Sequence, residues 1–407
     1  MQRARQFVIG VVVATMAGTG LVSSAAEQSS AASNTIKVGS IIPVTNGSGG
    51  IAQPEIKQAL EASIKAFNKR GGVNGQKLEL DLCDSAGDVN KEAECARQMV
   101  SDKVVATLDD FTYFNPDTTA KILGDAGIAR VGINFSALAE WHSPVSYGLS
   151  AGPIATFVGI GQALIKSGHT KLAEVIVQNP SAGTVKALLN PGFKSIGGEI
   201  VTEVFIPGGT TDYSQYVAAA TKDGADGALL LLGYPDASRF MDAMQQLDSK
   251  LIVGVSGSSF TLDNFKKYAA ITKHSPISDA TPNVSSSPKK FPGLKQFAKD
   301  MKASGFKLNE LKGEASGAWL SVLAFVTVVG EAKPPSIDAA STVAALNAAR
   351  DVDLAGMIPP WTPSAKSDSA LFTNVSNPYM YTQKFNGKTV ETVTPAINVM
   401  TILTAKG

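Results

Sequence analysis

The side chains here best suited to covalent or metal chemistry are two cysteines, three histidines and a scatter of serines. Gly254-Val255-Ser256-Gly257-Ser258 lacks the closing glycine of a G-x-S-x-G nucleophile elbow. Ser286 and Lys289 have S-x-x-K spacing, but within a Ser/Pro-rich stretch where chance matches are common. A secreted hydrolase is therefore the weaker reading, the chain is read as a non-enzyme, and no catalytic residue is assigned. His142, His169 and His274 are scattered, and none has ligand spacing to a cysteine, so neither a metal nor another cofactor is expected. Cys83 and Cys95 are the only pair available for a disulfide, with two buried free thiols as the alternative. Closing so short a loop would stabilise by roughly 3 kcal/mol in the chain-entropy view.

Two stretches suit non-covalent chemistry better. Thr45-Asn46-Gly47-Ser48-Gly49-Gly50 falls between a strand pattern and a helix pattern. Its free backbone N–H groups and Ser48 suit an anion such as a carboxylate, although an ordinary flexible connection would look the same. It lacks the lysine of a P-loop and the spacing of GxGxxG, which disfavours a nucleotide. Asp109-Asp110-Phe111-Thr112-Tyr113-Phe114-Asn115 carries three aromatics within four residues. Leaving them all in water is costly, so they either line a cleft or cover a core.

The elements that must position these loops follow a βαβ rhythm. Ile36 to Val44, Val104 to Leu108 and Ile128 to Ile133 read as strands. Ile56, Leu60, Ile64 and Phe67 mark one face of a helix, and a second helix lies near Thr118 to Gly124. Between helix and strand, Gly71-Gly72 ends the helix, Asn74-Gly75 makes a tight turn, and Leu78, Leu80 and Leu82 alternate. After Gly152-Pro153 the rhythm restarts, with strands at Leu172 to Val177, Ile200 to Ile206, Ala228 to Leu232 and Leu251 to Val255. Helices run between them near Thr184 to Ile196, Tyr213 to Lys222 and Ala237 to Leu247. Pro276 to Pro292 reads as a crossing or surface loop, and Trp319 to Val329 as a buried apolar helix too short to span a bilayer. Met380 to Phe385 and Ala396 to Leu403 read as closing strands at a sheet edge.

Residues 1–26 read as a secretory signal: basic Arg3 and Arg5, an uncharged run from Phe7 to Val22, and small residues Ser24-Ala25-Ala26 at the cleavage point. No cysteine stands there for lipid attachment. The formal net charge is +1 for the whole chain and −1 without Arg3 and Arg5, with no basic block, which argues against nucleic acid as a partner. The length favours two domains.

Thr211-Asp212-Tyr213-Ser214, then Gly224-Ala225-Asp226-Gly227 and an apolar strand, then Gly233-Tyr234-Pro235-Asp236-Ala237, follow the Gly71 to Leu80 run in characteristic order. In these motifs the chain resembles the type I periplasmic solute-binding proteins of ABC transporters, the family of the Leu/Ile/Val-binding protein. The resemblance implies an α/β fold: two doubly wound parallel-sheet lobes joined by a three-strand hinge. Lobe 1 would comprise residues 35–151 plus 283–358, and lobe 2 residues 152–282 plus 359–407. It also implies a monomeric, extracytoplasmic solute-binding protein in the periplasm or cell envelope. Such a protein captures a small solute by hinge closure and hands it to ABC permease and ATPase subunits. A ligand-sensing receptor of the same fold is the alternative.

The resemblance places ligand contacts at Asp110, Thr112 and Tyr113 in the aromatic loop, at Phe135 and Ser136 in the next, and at Asn179 and Ser181, Tyr234 and Ser256 in the second lobe. Amino-acid binders of the family pair the ligand's ammonium with an acid where this chain has Ser256, and often carry a tyrosine where it has Ser181. A buried ammonium without a carboxylate would be strongly destabilised. Either Asp109, Asp110 or Asp236 supplies that charge, or the solute is an aromatic or apolar carboxylate, or a neutral compound, without an ammonium. The second reading is favoured.

Overall fold

The computed structural model describes residues 35–45, 52–178 and 182–405; the expected signal segment lies outside them. The first half runs β1 (Thr35–Ile42), α1 (Pro54–Lys69), β2 (Lys77–Asp84), α2 (Val89–Ser101), β3 (Ala106–Leu108), α3 (Pro116–Asp125), β4 (Ala129–Val131), α4 (Leu138–His142) and β5 (Ser146–Tyr147). These strands form one parallel sheet in the order β2-β1-β3-β4-β5.

The second half runs α5 (Pro153–Lys166), β6 (Lys171–Val177), α6 (Ala182–Ser195), β7 (Glu199–Ile206), α7 (Ser214–Ala219), β8 (Gly227–Leu231), α8 (Tyr234–Gln246), β9 (Ile252–Ser256), α9 (Leu262–Lys267), α10 (Ala269–Thr272) and β10 (Ile277–Asp279). Its parallel strands repeat the same winding, β7-β6-β8-β9-β10. The chain then returns to the first core through α11 (Gly293–Ala303), α12 (Gly313–Ala332) and α13 (Ala339–Ala348). It ends on the second sheet with β11 (Tyr379–Phe385), β12 (Val390–Thr392), β13 (Ile397–Asn398) and α14 (Met400–Leu403).

Burial on both faces explains the apolar strands. Along β6, Leu172 and Ile176 face one core while Ala173 and Val175 face the other, as period-two alternation dictates. Around the first sheet, α1, α11 and α12 share one core, and Ile41, Cys95, Met99 and Leu123 form the opposite one. Asp300 locks three helices together: both of its oxygens accept from Arg70, at 2.7 and 3.0 Å, and Trp319 Nε1 donates to it at 2.8 Å. Cys83 and Cys95 are disulfide-bonded, tying β2 to α2.

The turn between α1 and β2 takes the form expected. Gly72 has φ +60, and a Cβ there would stand 1.9 Å from the Gln76 carbonyl oxygen. The Asn68 amide brackets Leu78, donating to its oxygen and accepting from its nitrogen, both at 2.7 Å.

Three expectations are corrected. The stretch read as a loop from Pro276 contains β10, a buried strand between β9 and β11, whose three residues are too few to show a pattern. The apolar helix is 20 residues, not about eleven, because its first turns are small or polar residues; it is long enough to cross a bilayer but is packed within the core. Ala396 to Leu403 is a two-residue strand followed by α14, which packs on α6 and α5.

Candidate functional site

In both sheets the strand order reverses between the first and third strands in sequence, and open α/β sheets hold ligands outside the carboxyl ends at such switch points. The flanking loops follow β1 and β3 in one sheet, and β6 and β8 in the other. Ser48, Asn179 and Ser181 belong to these loops but lie outside the described residues.

The aromatic loop after β3 is anchored by a fully buried cation. Arg130, in the middle of β4, donates from Nε to Asp110 Oδ2 at 2.9 Å, from Nη1 to Glu140 Oε1 at 3.1 Å and from Nη2 to Thr112 Oγ1 at 2.7 Å. Asp110 also accepts from the Ile41 amide at 3.0 Å and the Thr107 hydroxyl at 2.6 Å. Thr112 donates to Glu140 at 2.6 Å. The Ser136 hydroxyl lies 2.8 Å from the Thr112 carbonyl and 3.1 Å from Glu140 Oε2. Phe135 is buried and stacks on Trp141, whose ring packs edge-on with Phe372.

Asp110, Thr112 and Phe135 are thus turned into the interior. In this structure the polar side-chain atoms of Asp110 and Thr112 are spent on Arg130 and its partners, and the Phe135 ring, which has none, stacks on Trp141. Ser136 is half-buried and engaged in the same network. Tyr113 differs: it is half-buried, stacked on Phe111 at 4.2 Å. Burial, with Glu140 and Glu314 nearby, pushes its phenol far above the usual range. Glu92 holds the far end of the loop, accepting from the amides of Phe114 at 3.1 Å and Asn115 at 2.7 Å.

On the second sheet, Tyr234 opens α8. Its hydroxyl accepts from Asn264 Nδ2 at 2.8 Å and its ring packs edge-on with Phe260. Lys312, just before α12, brings its ammonium to 6.0 Å from the Tyr234 ring centroid while pairing with Glu55. Ser256 shares a 2.7 Å hydroxyl contact with Ser258, and a Cβ on Gly313 would stand 2.6 Å from Ser258 Cα. Helix α12, which belongs to the first core, therefore meets the loops of the second sheet at Tyr234 and Ser258.

Four carboxyls in this region escape their ordinary range. Burial pushes Glu92 up to about 7, opposed by the amides of Asn115 and Phe114. Burial pushes Asp109 up to about 8, despite a Ser321 hydroxyl at 3.3 Å, with Asp110 adding repulsion. Burial pushes Asp279, at the end of β10, up to about 7, opposed by the amides of Thr281 and Ala280. Burial pushes Glu314 up to about 8, opposed by Lys312 and reinforced by Glu55 and Asp279. Asp236, the other acid considered from sequence, is occupied by the Tyr213 hydroxyl at 2.6 Å and Arg239 at 3.0 Å. Sequence reasoning missed Asp279 because it fell in the presumed loop. Glu314 was signalled as an acid in the first turn of an apolar helix, five residues before the start assigned from hydropathy. Among the described residues no cluster of His, Cys, Asp and Glu is arranged to hold a metal.

Comparison with known proteins bears on this geometry. A family model described as periplasmic binding protein matches residues 35–376. The Leu/Ile/Val-binding protein homolog 3 of Brucella melitensis is 28% identical over 102 residues, 25% of this chain and 27% of that protein. The matched stretch thus spans about a quarter of the curated relatives' length. The solved fatty acid ABC transporter substrate-binding protein from Thermomonospora curvata superposes with TM-score 0.75 at 18% identity, covering 91% of this chain and 94% of that one. The solute-binding protein of an ABC transporter from Rhodopseudomonas palustris, solved with 3,4-dihydroxy benzoic acid, gives TM-score 0.70 at 18% identity, covering 90% and 98%. At that identity the likeness is one of fold.

Proposed function

Because the chain belongs to the periplasmic binding protein family, we propose that it is the exported solute-binding subunit of an ABC importer. The supporting observation is the approach of α12 and Lys312, from the first core, to Tyr234 and Ser258 on the second sheet. Two α/β units facing each other at their strand ends can bury a small molecule and favour the closed arrangement by binding both sides at once. We take residues 35–151 with 283–358 and 152–282 with 359–407 as the two lobes, and the segments between them as the hinge.

The solute is proposed to be a small carboxylate-bearing molecule. The relatives are described as binding leucine, isoleucine and valine, a fatty acid, or a dihydroxybenzoic acid, and all of these carry a carboxylate. Tyr113 and Tyr234 are the polar aromatic contacts the reading assigns. Residues 1–26 act as the export signal, which places the mature chain in the periplasm. A thermal-shift screen of the mature chain against amino acids, fatty acids and aromatic acids tests the proposal. At least one class should raise the melting temperature in a concentration-dependent way, whereas no response across all three would remove the reading. Genes for a permease and an ATPase beside this one would favour delivery over the sensing alternative.

A further inference from the structure

We propose that the solute carries a protonated amine, held by Asp279, Glu314 and Gln383; this rests on the solute-binding reading above and names one functional group of its ligand.

The inference comes from an imbalance of acceptors over donors. Gln383, on β11, is fully buried, and its Nε2 donates to the Thr281 carbonyl at 2.8 Å. That leaves Oε1 buried with no donor among the described residues. It points at Gly257, where a Cβ would stand 2.7 Å from Gln383 Oε1 and 3.0 Å from Asp279 Oδ2. A Cβ on Gly313 would stand 2.7 Å from the same Asp279 oxygen. The next residue, Glu314, has Oε2 buried and likewise without a partner, and its carboxyl lies close enough to Asp279 for the two to repel. Lys312, the nearby cation, is committed to Glu55.

A buried acceptor left without a donor costs about 1–3 kcal/mol. Two of them, Gln383 Oε1 and Glu314 Oε2, beside the Asp279 carboxyl, describe a site built to receive N–H groups. An ammonium brings three donors and a compensating charge. A hydroxyl brings one donor, and a carboxylate placed here would add like charge. Glu314 comes from a helix of the first core, while Asp279 and Gln383 come from the second sheet, so one ammonium would bridge both lobes. The acid that Ser256 lacks is then supplied from β10 and α12.

Calorimetry on the mature chain with matched pairs tests this: L-leucine against 4-methylpentanoate, and L-phenylalanine against 3-phenylpropanoate. The amine-bearing member of the better-bound pair is expected to bind at least about 30-fold tighter, as for a buried charge pair. Asp279→Asn with Glu314→Gln should abolish that preference while leaving affinity for the amine-free member. The unliganded variant should melt no lower than the parent, since neutral isosteres replace uncompensated acids, which separates a lost site from a lost fold. Equal or tighter binding of the amine-free members overturns the inference but leaves the solute-binding reading intact, as does a variant that keeps the preference. Binding of no member of the pairs or of the wider screen overturns both.

Discussion

Arg130 Nε and Asp110 Oδ2 meet at 2.9 Å with neither side chain reaching solvent, and Glu140 closes the other side of the guanidinium at 3.1 Å. Desolvating such charges is offset only when further hydrogen bonds complete the group. Here Ile41, Thr107 and Thr112 supply them. The network fixes the loops after β3 and β4, which carry Tyr113 and Ser136.

Arg130→Met would leave two carboxylates buried without their cation. It should cost about 3–5 kcal/mol. Denaturant unfolding of the variant checks this, and a loss below about 1 kcal/mol, typical of an exposed pair, would contradict the assignment.

Glu174, in the middle of β6, is buried with neither oxygen partnered among the described residues. Burial, with Glu203 nearby, pushes it from 4.5 up to about 8, partly opposed by Lys186. An acid raised on folding binds more protons native than unfolded, so its contribution to stability is full below about 4.5 and is lost as pH rises through about 8. Glu174→Gln should flatten the decline in melting temperature across that window. A variant with the parent's slope would place the titration elsewhere.

Gly72 and Asn68 hold the α1–β2 join by different means. Gly72→Ala drives a Cβ into the Gln76 carbonyl at positive φ and should cost well over about 1 kcal/mol. Asn68→Ala removes two bonds to Leu78, worth about 1 kcal/mol each. Melting curves in which either variant matched the parent would contradict these assignments.

Tyr234 and Ser136 should separate binding from scaffolding. Tyr234→Ala is expected to weaken solute affinity about tenfold or more, whereas Tyr234→Phe, which keeps the Phe260 contact, should leave the melting temperature nearly unchanged. Ser136→Ala should cost about 1 kcal/mol of stability and change affinity less, because its hydroxyl is spent on Thr112 and Glu140. The opposite pattern would exchange their roles.

The fold was largely legible from local chemistry. Gly72, Asn74 and Gly75 all carry the positive φ their types suggest, and the strand patterns of both sheets fall where apolar runs stand between helices. Short or polar elements were not legible: β10 has three residues and no alternation, and α12 begins with small and polar residues before its apolar run. The site was only partly legible for a related reason. Loop position marked Asp110 and Thr112, but Arg130, a charge buried within a strand, recruited both inward. Pairings between residues distant in sequence, such as Glu314 with Asp279, leave no local trace.

Small-angle X-ray scattering of the mature chain, with and without a solute that raises its melting temperature, tests the two-lobe account most directly. The radius of gyration should fall at saturation, as lobes closing on a guest require. A saturating solute that leaves the scattering curve unchanged would contradict it.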